Sequence, residues 1–188
     1  MTVRIVAERS EDDASAIDAL IDLAFGHDRH RRTVYRLREG IDPIASLSLV
    51  AITMPRKIIG SLRFWPVLLP KGGDYISALL LGPIAVHPDY RGTGVGARLM
   101  RRGLDLAKAQ GHHIVLLVGD ASYYGQFGFK RDLTTTIALP GPVDLDRFLG
   151  LELTESALEG VAGLVKRADV TEREEAKLHA PPLYPPSR

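Results

Sequence analysis

The stretch 79-LLLGPIAVHPDYRGTGVG-96 decides the fold of this chain. An apolar run that ends at Val86 leads into a short turn, a glycine-rich segment and a helical pattern that stops at Gly111. In the order strand, loop, helix, the first N–H groups of the helix point at the loop and have no partner within the helix. The helix dipole adds partial positive charge at the same place. The stretch therefore predicts an anion-binding loop between a central strand and a long helix.

Two common kinds of phosphate loop do not match these glycines. A Walker loop ends in Gly-Lys-Ser/Thr, whereas Gly96 is followed by Ala97 and Arg98. A dinucleotide-binding loop has three glycines at its own spacing directly after the strand. Here a turn intervenes, and Arg91 stands three residues before Gly94. The pattern therefore indicates another class of phosphate loop.

The arrangement Val-x-Pro-x-x-Arg-Gly-x-Gly-x-Gly, from Val86 to Gly96, resembles the acetyl-CoA motif of the GNAT N-acetyltransferase superfamily. Residues 124–129 (YGQFGF) look like that family's Tyr-x-x-x-Gly-Phe segment, and residues 119–124 (GDASYY) resemble its bacterial YhbS-like branch. The resemblance covers about residues 3–165. It implies an α/β (α+β) fold, in which a mixed central sheet has helices on both faces. It also implies that Gly82-Pro83 marks a bulge that splays the central strand from the next one.

The resemblance implies acetyl-CoA as co-substrate and assigns residues to it. Backbone N–H groups of the bulged strand are expected to hold the thioester carbonyl and the pantetheine arm, and the loop is expected to hold the pyrophosphate. The expected strand residues are Ile84, Ala85 and Val86. The expected loop residues are Arg91, Gly92, Thr93, Gly94, Val95, Gly96 and Ala97. Arg98, Arg101 and Arg102 either reach the 3′-phosphate or form an exposed helix face. The Asn that bonds pantetheine in many family members is missing from this chain.

Tyr124 is the candidate catalytic residue, because it matches the family's tyrosine before Gly-Phe. Acetyl transfer from a thioester needs a proton for the departing thiolate, and a phenol with a pKa near ~10 can supply it. A packing role beside the cofactor is the alternative for Tyr124. Tyr123 is the adjacent candidate. Since successive helical residues point about 100° apart, only one of the two tyrosines is expected to face the thiol.

The sequence does not identify a general base. His87 precedes Pro88 and is expected to be a turn residue. The remaining candidates have no spacing argument behind them, and water is a further proton acceptor. Those candidates are His30, Glu39, Asp42 and Asp74.

Length and composition narrow the possible classes of protein. The 188 residues fit one domain, expected over residues 1–170, with a polar, Pro-rich tail over 171–188. The absence of cysteine excludes disulfides and thiolate chemistry, and no metal site is expected because His112-His113 lacks a third ligand nearby. A net charge of +1 gives no bulk attraction to nucleic acid or membrane. A cytoplasmic monomer or homodimer is therefore expected.

Periodicity and turn residues predict the remaining elements. A capping box at Ser10 and Asp13 is expected to start a helix that ends at Gly26, and Asp120 is expected to cap a helix over 121–127. A second helix is predicted over about residues 29–39, whose arginines form either a solvated face or a basic rim for acidic or phosphorylated substrates. Strands are predicted over 3–8, 47–54, 58–69, 75–86, 114–118, 133–139 and 160–165.

Three functions compete at this point. The first is an acetyl-CoA-dependent N-acetyltransferase, in which the primary amine of a small molecule or peptide attacks directly in a ternary complex. The second is a module of the same fold that senses acyl-CoA without catalysis, which Tyr124 disfavours. The third is another nucleotide-phosphate binder, such as a kinase, which the missing Gly-Lys-Ser/Thr and acidic metal pair disfavour. The sequence does not identify the acetyl acceptor.

Overall fold

A mixed β-sheet forms the centre of the structure, a computed structural model that describes residues 2–9 and 11–168. The strands are β1 (Arg4–Ala7), β2 (Leu49–Thr53), β3 (Lys57–Lys71), β4 (Asp74–Val86), β5 (Ile114–Val118), β6 (Ile137–Ala138), β7 (Phe148–Glu152), β8 (Gly163–Leu164) and β9 (Lys166–Arg167). The helices are α1 (Ala14–Phe25), α2 (Thr33–Arg36), α3 (Val95–Ala109) and α4 (Ala121–Tyr124). The strand order is β1-β2-β3-β4-β5-β7, and β9 pairs with β3. The β4–β5 pair is parallel and the other pairs of this sheet are antiparallel.

Helices cover both faces of the sheet, as predicted. Alternate residues of a strand point to opposite faces, so Leu49 packs with Leu99 of α3 while Val50 packs with Ile21 of α1. The helix α3 approaches the sheet closely at Gly103, where a Cβ would lie 2.7 Å from Leu62 Cδ2. These layers confirm the predicted fold class and fix the start of α3 beside the end of β4.

The N-terminal third departs from the predicted helices. Residues 29–39 do not form one helix: a 3₁₀ segment over His27–Arg31 precedes the single turn of α2. The apolar stripe there is too short to bury a helix face, and short helices depend on such packing. The predicted capping box includes Ser10, which lies outside the described residues. Its other member, Asp13, precedes α1 but accepts from the Arg9 backbone N–H and from Arg56 instead of capping the helix.

The C-terminal third contains the largest departures. In place of the predicted strand over 133–139, the structure has a 3₁₀ turn over Asp132–Thr134 followed by β6. The predicted strand over 160–165 is reduced to β8. The strands β6 and β8 pair with each other in a separate small sheet. The central sheet instead gains β7 beside β5, in a segment where no strand was predicted. The predicted tail over 171–188 lies outside the described residues. Among the helices that the structure describes, none has the length and apolarity to cross a bilayer.

The central strand β4 separates from β5 halfway along its length. The two strands pair at Leu79 and Leu80, which face Val115 and Leu116. On the other side, the register with β3 shifts so that Gly82 and Pro83 stand opposite Arg63 alone. Such a two-against-one arrangement is a β-bulge, which bends the strand. The predicted bulge and splay are therefore present at Gly82-Pro83.

Candidate functional site

The gap between β4 and β5 leaves one edge of β4 open. Ile84, Ala85 and Val86 pair with β3 on one side. On the other side, the ladder with β5 ends at Leu80, and within residues 2–9 and 11–168 no strand pairs with residues 81–86 there. Backbone N–H and C=O groups at such an edge need partners. The three strand residues singled out in the sequence therefore border an edge that a ligand can fill.

A cavity of about 310 Å³, which we call the splay cavity, occupies this gap. One wall is formed by residues 81–84 of β4, and the opposite wall by residues 117–120 at the end of β5. Both tyrosines of α4 also line it, together with Phe25 at the end of α1. The lining further includes three basic side chains, Arg32, Arg38 and Arg147. The splay cavity is thus mainly apolar at its strands and basic at its rim.

The glycine-rich loop surrounds a second cavity of about 300 Å³, the loop cavity. Gly94, the residue before α3, has φ of +82°, and a Cβ built there would meet no atom within 4 Å. Its backbone therefore faces open space at the positive end of α3. Six of the seven predicted loop residues line this cavity: Arg91, Gly92, Gly94, Val95, Gly96 and Ala97. The seventh, Thr93, is not among the lining residues, and its hydroxyl donates to the Tyr90 carbonyl at 2.6 Å.

A third cavity of about 240 Å³, the connecting cavity, joins the other two. It shares Val86 and Arg91 with the loop cavity, and Ile84 and Tyr124 with the splay cavity. Tyr123 lines all three. The three cavities therefore adjoin one another in a row from the helix N-terminus to the gap between the strands, and we call this row the trough. Its shape suits an extended molecule with a phosphate group at one end.

Tyr123 and Tyr124 stand perpendicular to each other in this trough. Their ring centroids are 5.0 Å apart, with an interplanar angle of 85°. The Tyr123 hydroxyl lies over the loop, since a Cβ on Gly96 would be 3.1 Å from it. The Tyr124 ring lies on Gly119, where a Cβ would be 2.2 Å from its Cε2 atom. The two tyrosines were expected to point in different directions from their helix, with only one facing the thiol. Both nevertheless line the splay cavity.

Burial controls the ionisation of both tyrosines. The pKa of Tyr124 is raised to about 12, mainly by burial and also by the neighbouring Tyr123 and Asp120, while the guanidinium of Arg147 opposes the shift. Burial also raises the pKa of Tyr123, against the influence of Arg101. Each phenol therefore keeps its proton at neutral pH. The protonated hydroxyl of a buried tyrosine can donate a hydrogen bond or a proton to a developing anion.

Asp120 and His87 have structural partners close in sequence. Asp120 caps α4 as predicted, accepting from the Ser122 N–H at 3.0 Å, and the Ser122 bonds lower the pKa of its carboxyl. His87 lies in the predicted turn, where its Nδ1 accepts from the Asp89 N–H at 3.3 Å.

Within the described part of the chain, no three His, Cys, Asp or Glu side chains are grouped as metal ligands.

The basic face of α3 is partly engaged. Arg98 donates to the Val3 carbonyl at 2.9 Å, and the Arg101 guanidinium lies 5.7 Å from the Phe127 ring centroid. Arg102 is exposed. The structure therefore directs Arg98 and Arg101 toward neighbours within the protein.

Sequence reasoning gave no site role to Phe25 or Arg147, which line the splay cavity, whereas Arg38 was among the arginines offered as a basic rim. The three residues come from the end of α1, the loop after α2 and the turn before β7, and none belongs to a local motif. Arg38 was included in the basic run near α2, but the solvated-face interpretation is wrong for it, since only 8% of the residue is exposed. The signal that was available is Gly82, because an arginine fits against β4 only where that strand has no side chain.

A family model described as "Acetyltransferase (GNAT) domain" matches residues 6–131. The chain is also 34% identical over 154 residues to the protein described as uncharacterized N-acetyltransferase YhbS of Escherichia coli K12, covering 82% of this chain and 90% of that protein. It is 33% identical over 120 residues to uncharacterized N-acetyltransferase YjhQ of the same strain, covering 64% and 66%.

Solved structures show the same likeness. The crystal structure of the GNAT family N-acetyltransferase YhbS from E. coli in complex with CoA superposes with a TM-score of 0.74 at 32% identity, over 88% of this chain and 89% of that one. A GNAT family acetyltransferase from Brucella melitensis in complex with acetyl-CoA gives a TM-score of 0.64 at 29% identity, over 86% and 95%.

Proposed function

This chain belongs to the GNAT family of acetyltransferases, and we propose that it transfers an acetyl group from acetyl-CoA to the primary amine of a small molecule or peptide. The observation that supports this proposal most strongly is the trough between the loop and the open edge of β4. Similar proteins were crystallised with CoA and with acetyl-CoA. A trough that joins an anion site to an open strand edge has the two features that coenzyme A requires.

In the proposed complex, the pyrophosphate lies on the N–H groups of Gly92 and of residues 94–97, at the start of α3. The positive end of the helix and the Arg91 side chain both favour an anion there. The pantetheine arm then follows the connecting cavity and bonds to the open edge at Ile84, Ala85 and Val86, as an added strand would. The thioester reaches the splay cavity beside Tyr124.

The proposed reaction is a direct transfer in a ternary complex. The neutral amine nitrogen attacks the thioester carbonyl carbon, the C–S bond breaks, and the electron pair leaves with sulfur as the CoA thiolate. We assign the Tyr124 hydroxyl as the donor of a proton to that sulfur, and the amine gives up a proton to solvent or a base in the acceptor site. N–H groups at the open edge stabilise the charge that develops on the carbonyl oxygen.

The raised pKa of Tyr124 suits this role in one respect and limits it in another. The phenol is protonated at every physiological pH, so it always carries the proton that it is to donate. It is also a weaker acid than an unperturbed tyrosine, so the proton moves as the C–S bond breaks rather than before it. The positive charge of Arg147 lowers the pKa of Tyr124 and so favours the transfer.

An acetyl-transfer screen over amines, amino acids and peptides tests the proposed function, with release of free CoA as the readout. We expect acetyl-CoA consumption that depends on both the amine and the protein. Thermal unfolding with acetyl-CoA and, separately, with ATP–Mg²⁺ gives the binding control, and a shift is expected with acetyl-CoA alone. Stabilisation by acetyl-CoA without transfer to any amine would favour an acyl-CoA-sensing module of the same fold.

A further inference from the structure

The residues around α2 form the side of the splay cavity that the proposed cofactor path does not use. Arg32, Val34, Tyr35 and Arg38 line the splay cavity, and none of these four described residues lines the connecting or the loop cavity. Tyr35 and Arg38 also border a neighbouring cavity of about 440 Å³, the outer cavity. In the proposed complex coenzyme A occupies the trough, so an acceptor has to approach the thioester from this side. We call residues 32–38 the acceptor wall.

The acceptor wall has little local structure of its own. Its helix α2 is a single turn, Thr33–Arg36, and the preceding Arg32 makes no side-chain bond that caps it. Isolated helices of this length are not stable in water, so tertiary contacts must fix their position. The position of Tyr35 at the reaction site therefore depends on what α2 packs against.

The 140–142 loop, Pro-Gly-Pro, supplies that contact. The Thr33 hydroxyl donates to the Pro142 carbonyl, and Arg36 Nη1 donates to the Pro140 carbonyl at 2.9 Å. Both carbonyl groups belong to residues whose φ is fixed by the pyrrolidine ring, so the loop presents them with little conformational freedom. The two bonds hold α2 at its first and its last residue.

Gly141 lets α2 lie directly on this loop. A Cβ at position 141 would be 2.9 Å from Arg36 Nη1, 3.0 Å from Thr33 Oγ1 and 3.3 Å from Thr33 Cγ2. The φ of Gly141 is +154°, which also favours glycine. Of the described residues, neither Thr33 nor Gly141 lines the splay cavity or the outer cavity. Any effect of these two residues on the reaction therefore has to pass through the acceptor wall.

The other end of the acceptor wall is anchored independently. Leu37, which is 2% exposed, belongs to the same apolar cluster as Leu139. Just beyond it, Arg167 Nη1 donates to the Glu39 carbonyl at 3.1 Å. Loss of the Thr33 contact should therefore release α2 from the loop without detaching the rest of the segment.

We propose that Thr33 is a positioning residue for the acetyl acceptor: its bond to the 140–142 loop holds the acceptor wall where the acceptor amine meets the thioester. The proposal rests on the acetyltransferase function proposed above. Thr33 acts through Tyr35, which lies two residues further along and lines both the splay and the outer cavity. A displacement of about 1 Å can cost up to about 100-fold in rate. Release of α2 should therefore weaken use of the acceptor and leave cofactor binding unchanged.

Three threonine variants test this role. Thr33→Val replaces the hydroxyl with a methyl group of similar size, and Thr33→Ser keeps the hydroxyl. Thr136→Val is the matched control, because it removes a bond from the Thr136 hydroxyl to the Val161 carbonyl, at 2.7 Å, between two residues that line neither cavity.

The assay uses the amine with the highest kcat/KM in the screen described above. We expect Thr33→Val to lower kcat/KM for this amine about tenfold, mainly through KM, with an unchanged dissociation constant for acetyl-CoA. Thr33→Ser should restore the acceptor KM, and Thr136→Val should keep it at the wild-type value.

Trp65 gives a second readout that needs no acceptor. It is the only tryptophan in the sequence, it is half-buried, and it borders the outer cavity together with Tyr35. Displacement of the acceptor wall should expose its ring to solvent. Quenching of its fluorescence by acrylamide should therefore increase in Thr33→Val and stay at the wild-type level in Thr33→Ser and Thr136→Val.

Any of three results would overturn the proposal: a wild-type acceptor KM in Thr33→Val, wild-type quenching in the same variant, or an equal rise of KM in Thr136→Val. If thermal unfolding shows that Thr33→Val fails to fold, Gly141→Ala, which presses on Thr33 from the loop, takes its place. If no amine is acetylated, the proposed function fails, and quenching alone decides whether this bond holds the acceptor wall. An increase that serine reverses would then uphold the positioning contact, and unchanged quenching would refute it.

Discussion

The ring of Tyr124 lies so close to Gly119 that a Cβ at position 119 would be 2.2 Å from the ring carbon Cε2. Real structures do not tolerate that distance, so Gly119→Ala must displace the Tyr124 ring or the end of β5. We expect the free energy of unfolding to fall by about 1–3 kcal/mol, the usual cost of overpacking. We also expect kcat to fall by up to about 100-fold, because a displacement of about 1 Å can cost that much.

The control for this substitution is Gly125→Ala. Gly125 has an ordinary helical φ of −57°, and a Cβ there meets no atom within 4 Å. Both variants add one methyl group to the same segment, and only the first displaces the ring. Steady-state kinetics and denaturant unfolding should therefore separate them. Equal kinetics in the two variants would show that the position of the Tyr124 ring does not matter for turnover.

The ionisation of Tyr124 predicts a pH dependence of stability. Its pKa is about 12 in the folded protein, against about 10 in an unfolded chain. As the pH rises from about 10 to about 12, the unfolded state loses this proton first, so the free energy of unfolding falls with pH in that window. This contribution is complete below pH ~10. Denaturant unfolding across the window should give a shallower decline for Tyr124→Phe than for wild type, and parallel curves would contradict the raised pKa.

Gly94→Glu should abolish acetyl-CoA binding and leave the fold largely intact. The new side chain enters open space at the start of α3 and brings a negative charge to the proposed pyrophosphate position. Because Gly94 has φ of +82°, part of any effect comes from backbone strain. Gly94→Asn controls for strain, since asparagine tolerates this conformation and carries no charge, and it should lose much less affinity. Unchanged affinity of Gly94→Glu by calorimetry would rule out the phosphate-loop assignment.

Arg91→Ala should have a milder effect on the same binding step. Arg91 is exposed at the junction of the loop and connecting cavities. A charge-assisted hydrogen bond contributes about 1.5–3 kcal/mol at most, and exposure brings the expected loss to the lower end. We expect acetyl-CoA affinity to fall about tenfold and its salt dependence to weaken. Wild-type affinity in this variant would place the Arg91 side chain outside the site.

Local sequence signals predicted the parts of the fold that such signals control. The apolar run of β4, the glycine-rich loop and the amphipathic α3 ending near Gly111 all depend on neighbours along the chain. The strand β7 was missed because its five residues, FLGLE, contain a glycine and no regular alternation. Gly150 is needed there for tertiary reasons, since a Cβ would lie 3.1 Å from Thr134 Cγ2.

The same distinction applies to the residues of the candidate site. The loop residues are consecutive and Tyr124 belongs to a second short motif, so neighbours along the chain reveal each of them. Arg38 enters the site because Gly82 leaves room for it and because its guanidinium lies over the rings of Tyr35 and Trp65. Gly82 and Trp65 are far from Arg38 in the sequence. The basic wall of the splay cavity therefore depends on the fold, whereas the loop residues and Tyr124 stand out in the sequence alone.

Tyr124→Phe is the sharpest test of the mechanism. The substitution removes one hydroxyl and keeps the ring that packs on Gly119, so folding and acetyl-CoA binding should be preserved. If Tyr124 protonates the thiolate, kcat should fall by roughly 10²–10⁴, the usual contribution of a positioned acid. The dissociation constant for acetyl-CoA should change little, because the proton is needed only as the C–S bond breaks.

Tyr123→Phe is the matched control for that variant. The Tyr123 hydroxyl lies over Gly96, at the loop end of the trough, so its removal should act on acetyl-CoA binding more than on kcat. Loss of turnover in Tyr123→Phe with retention in Tyr124→Phe would transfer the acid role to Tyr123. Full turnover in both variants would mean that neither tyrosine protonates the thiolate, which leaves Tyr35, the third tyrosine that lines the splay cavity, or departure without a protein acid.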